Sequence, residues 1–464
     1  MKKLSSNFLP MVSITILFFM WGFITSLNDI LIPFFKSAYT LTHFEANVVQ
    51  LAFFIAYFVG SLIFFFLSKI NKDPIYKLGY KLTLEIGLVI SGVACFLFSL
   101  SAQLNLSFFF FLSTLFLLGI GLTFLQVAAN PFVSILGNKE TASSRLNLSQ
   151  AFNSLGTTLG PALGGYFIFG ILLKNIQGVQ ALREPYMILG LLLGLLALFI
   201  HNSKIEEPEK VGNKTKDKTS IFKYTYLLLG ALGIFFYVGA EVSIGSNMVA
   251  YLTEVLNGEI SHEKASSYLS YYWGGMMIGR FLGAVSLSRE KKEKKIIYML
   301  LLAVGSFLVI FFVNYYLHNL TFDMVWYFLI FMVLNFLFFY IGGAKPERTL
   351  AIFALVNSIL LILGMNPFSI FSSNFFWFLL AIGLFNSIMW SNLFTLAIDN
   401  LKEKTPQASS MLVMMILGGA ILPPLQGLLA DYYNIKISFL IPLISYIYLI
   451  FYGLKGYKIN KKFE

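Results

Sequence analysis

The chain has 464 residues, 58% of them hydrophobic and only 12% charged, with a mean hydropathy of +0.78. A soluble globule this apolar could not cover its own surface, which leaves an all-α polytopic membrane protein. The formal net charge of +11 does not point to nucleic acid, because the bases fall in short loops between apolar spans, the pattern of membrane topology.

Windows of about 20 apolar residues predict spans near 11–35, 46–68, 78–100, 107–136, 146–173 and 185–201. The first run follows Met1, Lys2 and Lys3 and continues past Trp21 to Pro33, too long for a signal-peptide core. Cys95 sits inside the third span, has no partner for a disulfide, and reads as a small packing residue. The polar stretch HNSKIEEPEKVGNKTKDKTS then interrupts the pattern as a linker over 202–221, dividing a bundle at 1–201 from a second at 222–464. Spans follow near 222–256, 265–287, 296–317, 322–342, 348–365, 375–400, 407–430 and 437–454, making fourteen in all.

With the N-terminus inside, 27 Lys and Arg residues fall on the cytoplasmic side and 5 outside, Arg280 lying within a span. The positive-inside rule therefore places both termini in the cytoplasm. The halves also resemble each other. Phe19 and Gly22 match Phe236 and Gly239 at an offset of 217, and Gly121, Asn130, Pro161 and Gly165 match Gly383, Asn392, Pro423 and Gly427 at 262. The offset grows by 45 residues, about one hairpin, which is assigned to the surplus spans at about 320–365. Two six-helix pseudo-symmetric halves plus a two-helix insertion in the second half point to a major facilitator fold, with a substrate site between the halves.

Charged residues in mid-span cost about 2.5–3.5 kcal/mol each on insertion scales, so those that occur point to function. Asp29 in WGFITSLNDILIP and Glu241 in FFYVGAEVSIGSNM are the cation-coupling candidates, since burial disfavours a bare carboxylate and rewards a bound proton or cation. Glu85, near a helix start, reads as neutral to function, and Arg280 in WGGMMIGRFLGA as a gating residue. Gln126 and Asn130 share a helix face, as do Gln150 and Asn153, and Asn386 and Trp390. With Asn28 and Tyr237 these form the candidate substrate-binding set: amides for hydroxyl groups, and aromatic faces for the C–H faces of a flat ligand. Each amide taken alone could equally hold helices together.

Enzyme chemistry finds no purchase. HEKAS lacks the second histidine of a zinc site, the four histidines show no metal spacing, and no P-loop or nucleophile elbow occurs, so neither metal nor cofactor is expected. A membrane-embedded glycosyl- or acyl-transferase would need a catalytic cluster that is not visible.

Several motifs are long enough to be specific: FFMWGFITSLNDILIP, LQVAANPFVSILG, SRLNLSQAFNSLGTTLGP, FFYVGAEVSIGS, YYWGGMMIGRFLG and GGAILPPLQG. They resemble the fucose:proton symporter family of the major facilitator superfamily, most closely its glucose/galactose transporter branch. The resemblance implies cation-coupled uptake of a hexose, with proton or sodium as the coupling ion, by a monomer in the bacterial cytoplasmic membrane. It gives Asp29 a central part in sugar binding and coupling, and sets Asn130, Gln150 and Asn153 on the central cavity. The fucose branch carries a glutamate where this chain has Gln126, and an amide where it has Glu241. The alternatives are a fucose or other sugar:proton symporter and a proton-coupled exporter of drugs or metabolites, which would call for a greasier cavity.

Overall fold

The computed structural model describes residues 8–459 apart from 70–73, 136–141, 177, 204–220, 257–259, 287–291, 343–344, 367–373, 400 and 402–404. The linker predicted at 202–221 lies outside the described residues except at its ends.

The N-terminal half consists of α1 (Phe8–Ala38), α2 (His43–Lys69), α3 (Pro74–Gln103), α4 (Phe108–Ile135), α5 (Ala142–Gly165) and α6 (Arg183–Asn202). The second half holds α7 (Thr225–Val255), α8 (His262–Ser286), α9 (Lys292–His318), α10 (Tyr327–Gly342) and α11 (Pro346–Met365). It continues with α12 (Phe376–Asn386), α13 (Met389–Ile398), α14 (Thr405–Met414), α15 (Gly418–Tyr432) and α16 (Leu440–Leu454). Helix is the form in which every backbone polar group can be satisfied within its own segment in hydrocarbon.

Among the described residues, twelve helices are long and apolar enough to cross a membrane, against the fourteen spans expected. The difference has two sources. α8 has the length but carries Glu263, Lys264 and Arg280 among its serines and glycines, and it is buried almost throughout. The span expected at 322–342 is split into a single turn, Phe322–Val325, and the short α10.

Packing reproduces the internal repeat. In the first half α1 packs on α5, α2 on α4, and α3 on both α4 and α6. In the second, α7 packs on α15, α8 on α12, and α11 on both α12 and α16. The halves join through α5 against α8 and α2 against α15, contacts that also exchange under the same symmetry. Glycines set the closest crossings: a Cβ at Gly22 would overlap the Asn153 carbonyl, and one at Gly156 the Phe19 carbonyl. The second half repeats this, Gly418 lying against the Phe235 carbonyl and Gly239 against Leu422 and the Gly418 carbonyl. Small residues let the backbones approach where no hydrophobic drive exists between helices in lipid.

Candidate functional site

A cavity of about 180 Å³ lies between the halves, walled by α1, α2, α4 and α5 from one side and by α7, α8, α13 and the turn before α15 from the other. Nine of the eleven candidate residues reach it: Asp29, Gln126, Asn130, Gln150, Asn153, Tyr237, Glu241, Arg280 and Trp390. They do so because glycine crossings bring α1 against α5 and α7 against α15, turning the polar stripe of each helix toward the centre.

The two acids have unlike surroundings. Asp29 is 2% exposed. Its Oδ1 accepts from Gln50 Nε2 at 3.0 Å and Ser246 Oγ at 3.1 Å, and its Oδ2 accepts from Trp273 Nε1 at 3.0 Å. All three donors are neutral. Glu241 instead lies 3.8 Å from the Arg280 guanidinium, whose Nη1 donates to Ser154 Oγ across the seam at 2.6 Å. The Glu241 carboxylate thus has a countercharge, and Arg280 touches both halves.

On the first-half wall Gln150 Nε2 donates to Asn130 Oδ1 at 3.1 Å, and Asn153 Nδ2 donates to the Phe18 carbonyl at 2.9 Å. Tyr237 hydroxyl donates to the Asn386 carbonyl at 3.0 Å, and Trp21 Nε1 to Tyr57 hydroxyl at 2.9 Å. Two indole rings, Trp21 and Trp273, join Trp390 in the lining, with Gln50 and Tyr57. The sequence reading missed these four additions. A signal was present: Trp273 precedes Arg280 by two helical turns, and His43, Asn47 and Gln50 follow steps of four and three.

Asn28 and Asn386 do not reach the cavity. Asn28 follows its own helical phase, about 100° round the axis from Asp29; it is fully buried, and its amide has no hydrogen-bond partner among the described residues. Asn386 ends α12 at the break before α13. Its Oδ1 accepts from Tyr446 hydroxyl at 2.8 Å and Asn357 Nδ2 at 2.9 Å, and its Nδ2 donates to Tyr272 hydroxyl at 3.1 Å. That amide braces a broken helix. Among the described residues no group of three or more His, Cys, Asp or Glu side chains could hold a metal ion.

At the end of the bundle remote from the N-terminus the halves are pinned together. Asp431 accepts from the His43 and Phe44 backbone N–H groups, each at 2.8 Å. Glu254 Oε1 lies 2.9 Å from His43 Nε2 and 3.1 Å from Lys36 Nζ.

Comparison with known proteins agrees with this architecture and with the resemblance read from the motifs. A "Glucose/galactose transporter" of Brucella abortus is 38% identical over 453 residues, covering 97% of this chain and 94% of that one. An "L-fucose-proton symporter" of Escherichia coli is 28% identical over 466 residues, covering 95% of this chain and 91% of that one. A crystal structure of the transporter FucP in the outward conformation superposes with a TM-score of 0.64 at 26% identity, covering 97% of this chain and 99% of that one. The description "Major Facilitator Superfamily" matches residues 14–344. With an all-helical fold, two halves that repeat each other's packing and a polar cavity between them, this chain belongs to the major facilitator superfamily.

Proposed function

We propose that the chain is a secondary active transporter that takes up a hexose such as glucose or galactose with a coupling cation, proton or sodium, by alternating access. The observation that carries this reading is the cavity itself, which gathers amides and indole rings from both halves around one acid from each, Asp29 and Glu241. Amides offer paired hydrogen bonds to hydroxyl groups, and indole faces stack on the C–H faces of a pyranose. Gln126, Asn130, Gln150, Asn153, Tyr237 and Trp390 are the sugar-binding residues, Asp29 and Glu241 the cation-coupling acids, and Arg280 the gating residue. The names borne by the relatives support the substrate class, and the fucose relative supports the proton. A ligand moves the inward/outward equilibrium only by binding the two states unequally. An acid whose donors come from both halves, as at Asp29, supplies that inequality.

The protein sits in the bacterial cytoplasmic membrane as a monomer with both termini inside, so the pinned end of the bundle faces outward. The domains divide at the linker, 1–201 and 222–464. We place the two-helix surplus at α9 and α10, rather than at 320–365. The partners of α11, namely α12 and α16, are the counterparts of the partners of α3, whereas α9 packs beside α8 as the least buried of the spans.

Purified protein in proteoliposomes, supplied with labelled glucose, galactose or fucose under imposed proton or sodium gradients, tests the reading. Gradient-driven accumulation of a hexose is expected. No uptake of any of the three under either gradient refutes it, and uptake of fucose alone replaces the glucose/galactose assignment.

A further inference from the structure

At the outward end α2 and α7 meet through a ladder of polar side chains. α2 presents His43, Asn47 and Gln50 on one face, and α7 presents Ser246, Asn247 and Glu254 opposite them. On the innermost rung Gln50 Nε2 donates to Ser246 Oγ at 2.8 Å, and both residues bond the Asp29 carboxylate. On the middle rung Asn47 Nδ2 donates to Asn247 Oδ1 at 3.0 Å, and the reciprocal bond measures 3.4 Å. The outermost rung is the Glu254 carboxylate against His43 and Lys36. The two inner rungs are buried, Asn47 and Ser246 completely.

The chemistry of this seam differs from that of the glycine crossings within each half. An apolar seam opened to water loses its burial free energy in proportion to area. An amide pair opened to water exchanges one set of hydrogen bonds for another, with little net change. The same pair opened to lipid would be left unsatisfied. A ladder of amides therefore parts readily toward an aqueous vestibule and holds against hydrocarbon, as a gate requires.

We propose that the α2–α7 seam is the outer gate of this carrier and that Asp29 is its innermost latch, Ser246 and Trp273 of the second half reaching the Asp29 carboxylate only while the gate is shut. The proposal rests on the alternating-access reading above, and it gives Gln50, Ser246 and Trp273 the part of positioning residues. Opening the gate withdraws two of the three donors from Asp29, so the acid senses the state of the gate directly.

The native chain provides a clean reporter background, since its one cysteine, Cys95, is buried. Ala250 is buried on α7, one turn from both Asn247 and Glu254, and Ala250→Cys introduces a thiol that water reaches when the seam opens. The experiment measures the rate at which a membrane-impermeant maleimide labels this thiol from outside, in the full-length chain in oriented membranes. Ser246→Ala with Trp273→Phe, which removes both cross-half donors, is expected to raise the rate about tenfold. Asn47→Leu with Asn247→Leu, which makes the middle rung apolar, is expected to lower it. A general loosening of the fold would raise both. Equal rates in all three proteins, or a rise in both variants, overturns the proposal. Labelling needs no sugar, so a carrier that fails to take up hexose leaves this result standing, and a failed gate leaves hexose uptake intact as a separate finding.

Discussion

Glu241→Gln keeps the length and hydrogen-bonding capacity of the side chain and removes only its charge. In the structure that charge lies 3.8 Å from the Arg280 guanidinium, while the three donors to Asp29 come from elsewhere. The substitution therefore spares the first acid and breaks the second. Removing one partner of a buried pair costs about 3–5 kcal/mol. Here the Glu241 and Arg280 side chains keep 12% and 16% exposure and Arg280 retains its bond to Ser154, so the loss falls at or below the lower end, about 3 kcal/mol. The functional magnitude is comparable. One positive charge moving down 100 mV releases about 2.3 kcal/mol, which sustains about a 50-fold accumulation of a sugar coupled to it. If Glu241 is required for coupling, the variant brings sugar only to equal concentrations on the two sides. Counterflow exchange needs no net cation movement and persists. The assay is accumulation of labelled hexose in proteoliposomes at an imposed potential, with counterflow measured on the same preparation. Accumulation at the wild-type level refutes the coupling role of Glu241, and loss of counterflow together with accumulation shows that the side chain serves binding rather than coupling.

Asn386→Leu strands the Tyr446 hydroxyl and the Asn357 amide, each at about 1–3 kcal/mol when left unpaired, while the Tyr272 hydroxyl keeps its bond to the Glu241 carbonyl. A fall in melting temperature with an unchanged KM for hexose is expected, and a raised KM at wild-type stability would return Asn386 to the binding set. If Gln150 and Asn130 bind the sugar, Gln150→Leu and Asn130→Leu should each raise KM about three- to tenfold, the worth of one neutral hydrogen bond, read in the same uptake assay. Hexose binding should change tryptophan fluorescence, because three of the five tryptophans line the cavity; Trp21→Phe, Trp273→Phe and Trp390→Phe together should abolish the change, and its survival would place the sugar elsewhere. Gly22→Val and Gly418→Val force side chains into backbone carbonyls and should each lower the melting temperature, with equal stability to wild type counting against the paired crossings.

The candidate site was legible where helical phase and charge coincided. Gln126 with Asn130 and Gln150 with Asn153 fall on single faces, and a carboxylate in an apolar run announces itself, so these residues reached the cavity. Trp273 and Gln50 had the phase but did not stand out from their neighbours: Trp273 lies in the aromatic- and glycine-rich middle of α8, and Gln50 closes the polar first turns of α2. Asn28 was placed by its neighbour rather than by its own phase, and Asn386 by a pairing with Trp390 that ignores the break between α12 and α13. The place of the proposed extra hairpin is not legible for another reason. Matched pairs fix the offset at Gly22 with Gly239 and again at Gly121 with Gly383, and any point between 240 and 382 satisfies both. Periodicity reports which face of a helix is polar, and only tertiary contact reports which helix it meets.

The glycine crossings at Gly22 with Gly156 and at Gly239 with Gly418 have a mechanical consequence. Where backbone meets backbone there are no rotamers to exchange, so neither helix pair can yield by repacking side chains. Each half behaves as a stiff lever, with its compliance displaced to the hydrogen-bonded joint between the levers. Any force that moves one half against the other is then delivered to that joint instead of being dissipated as strain within either half.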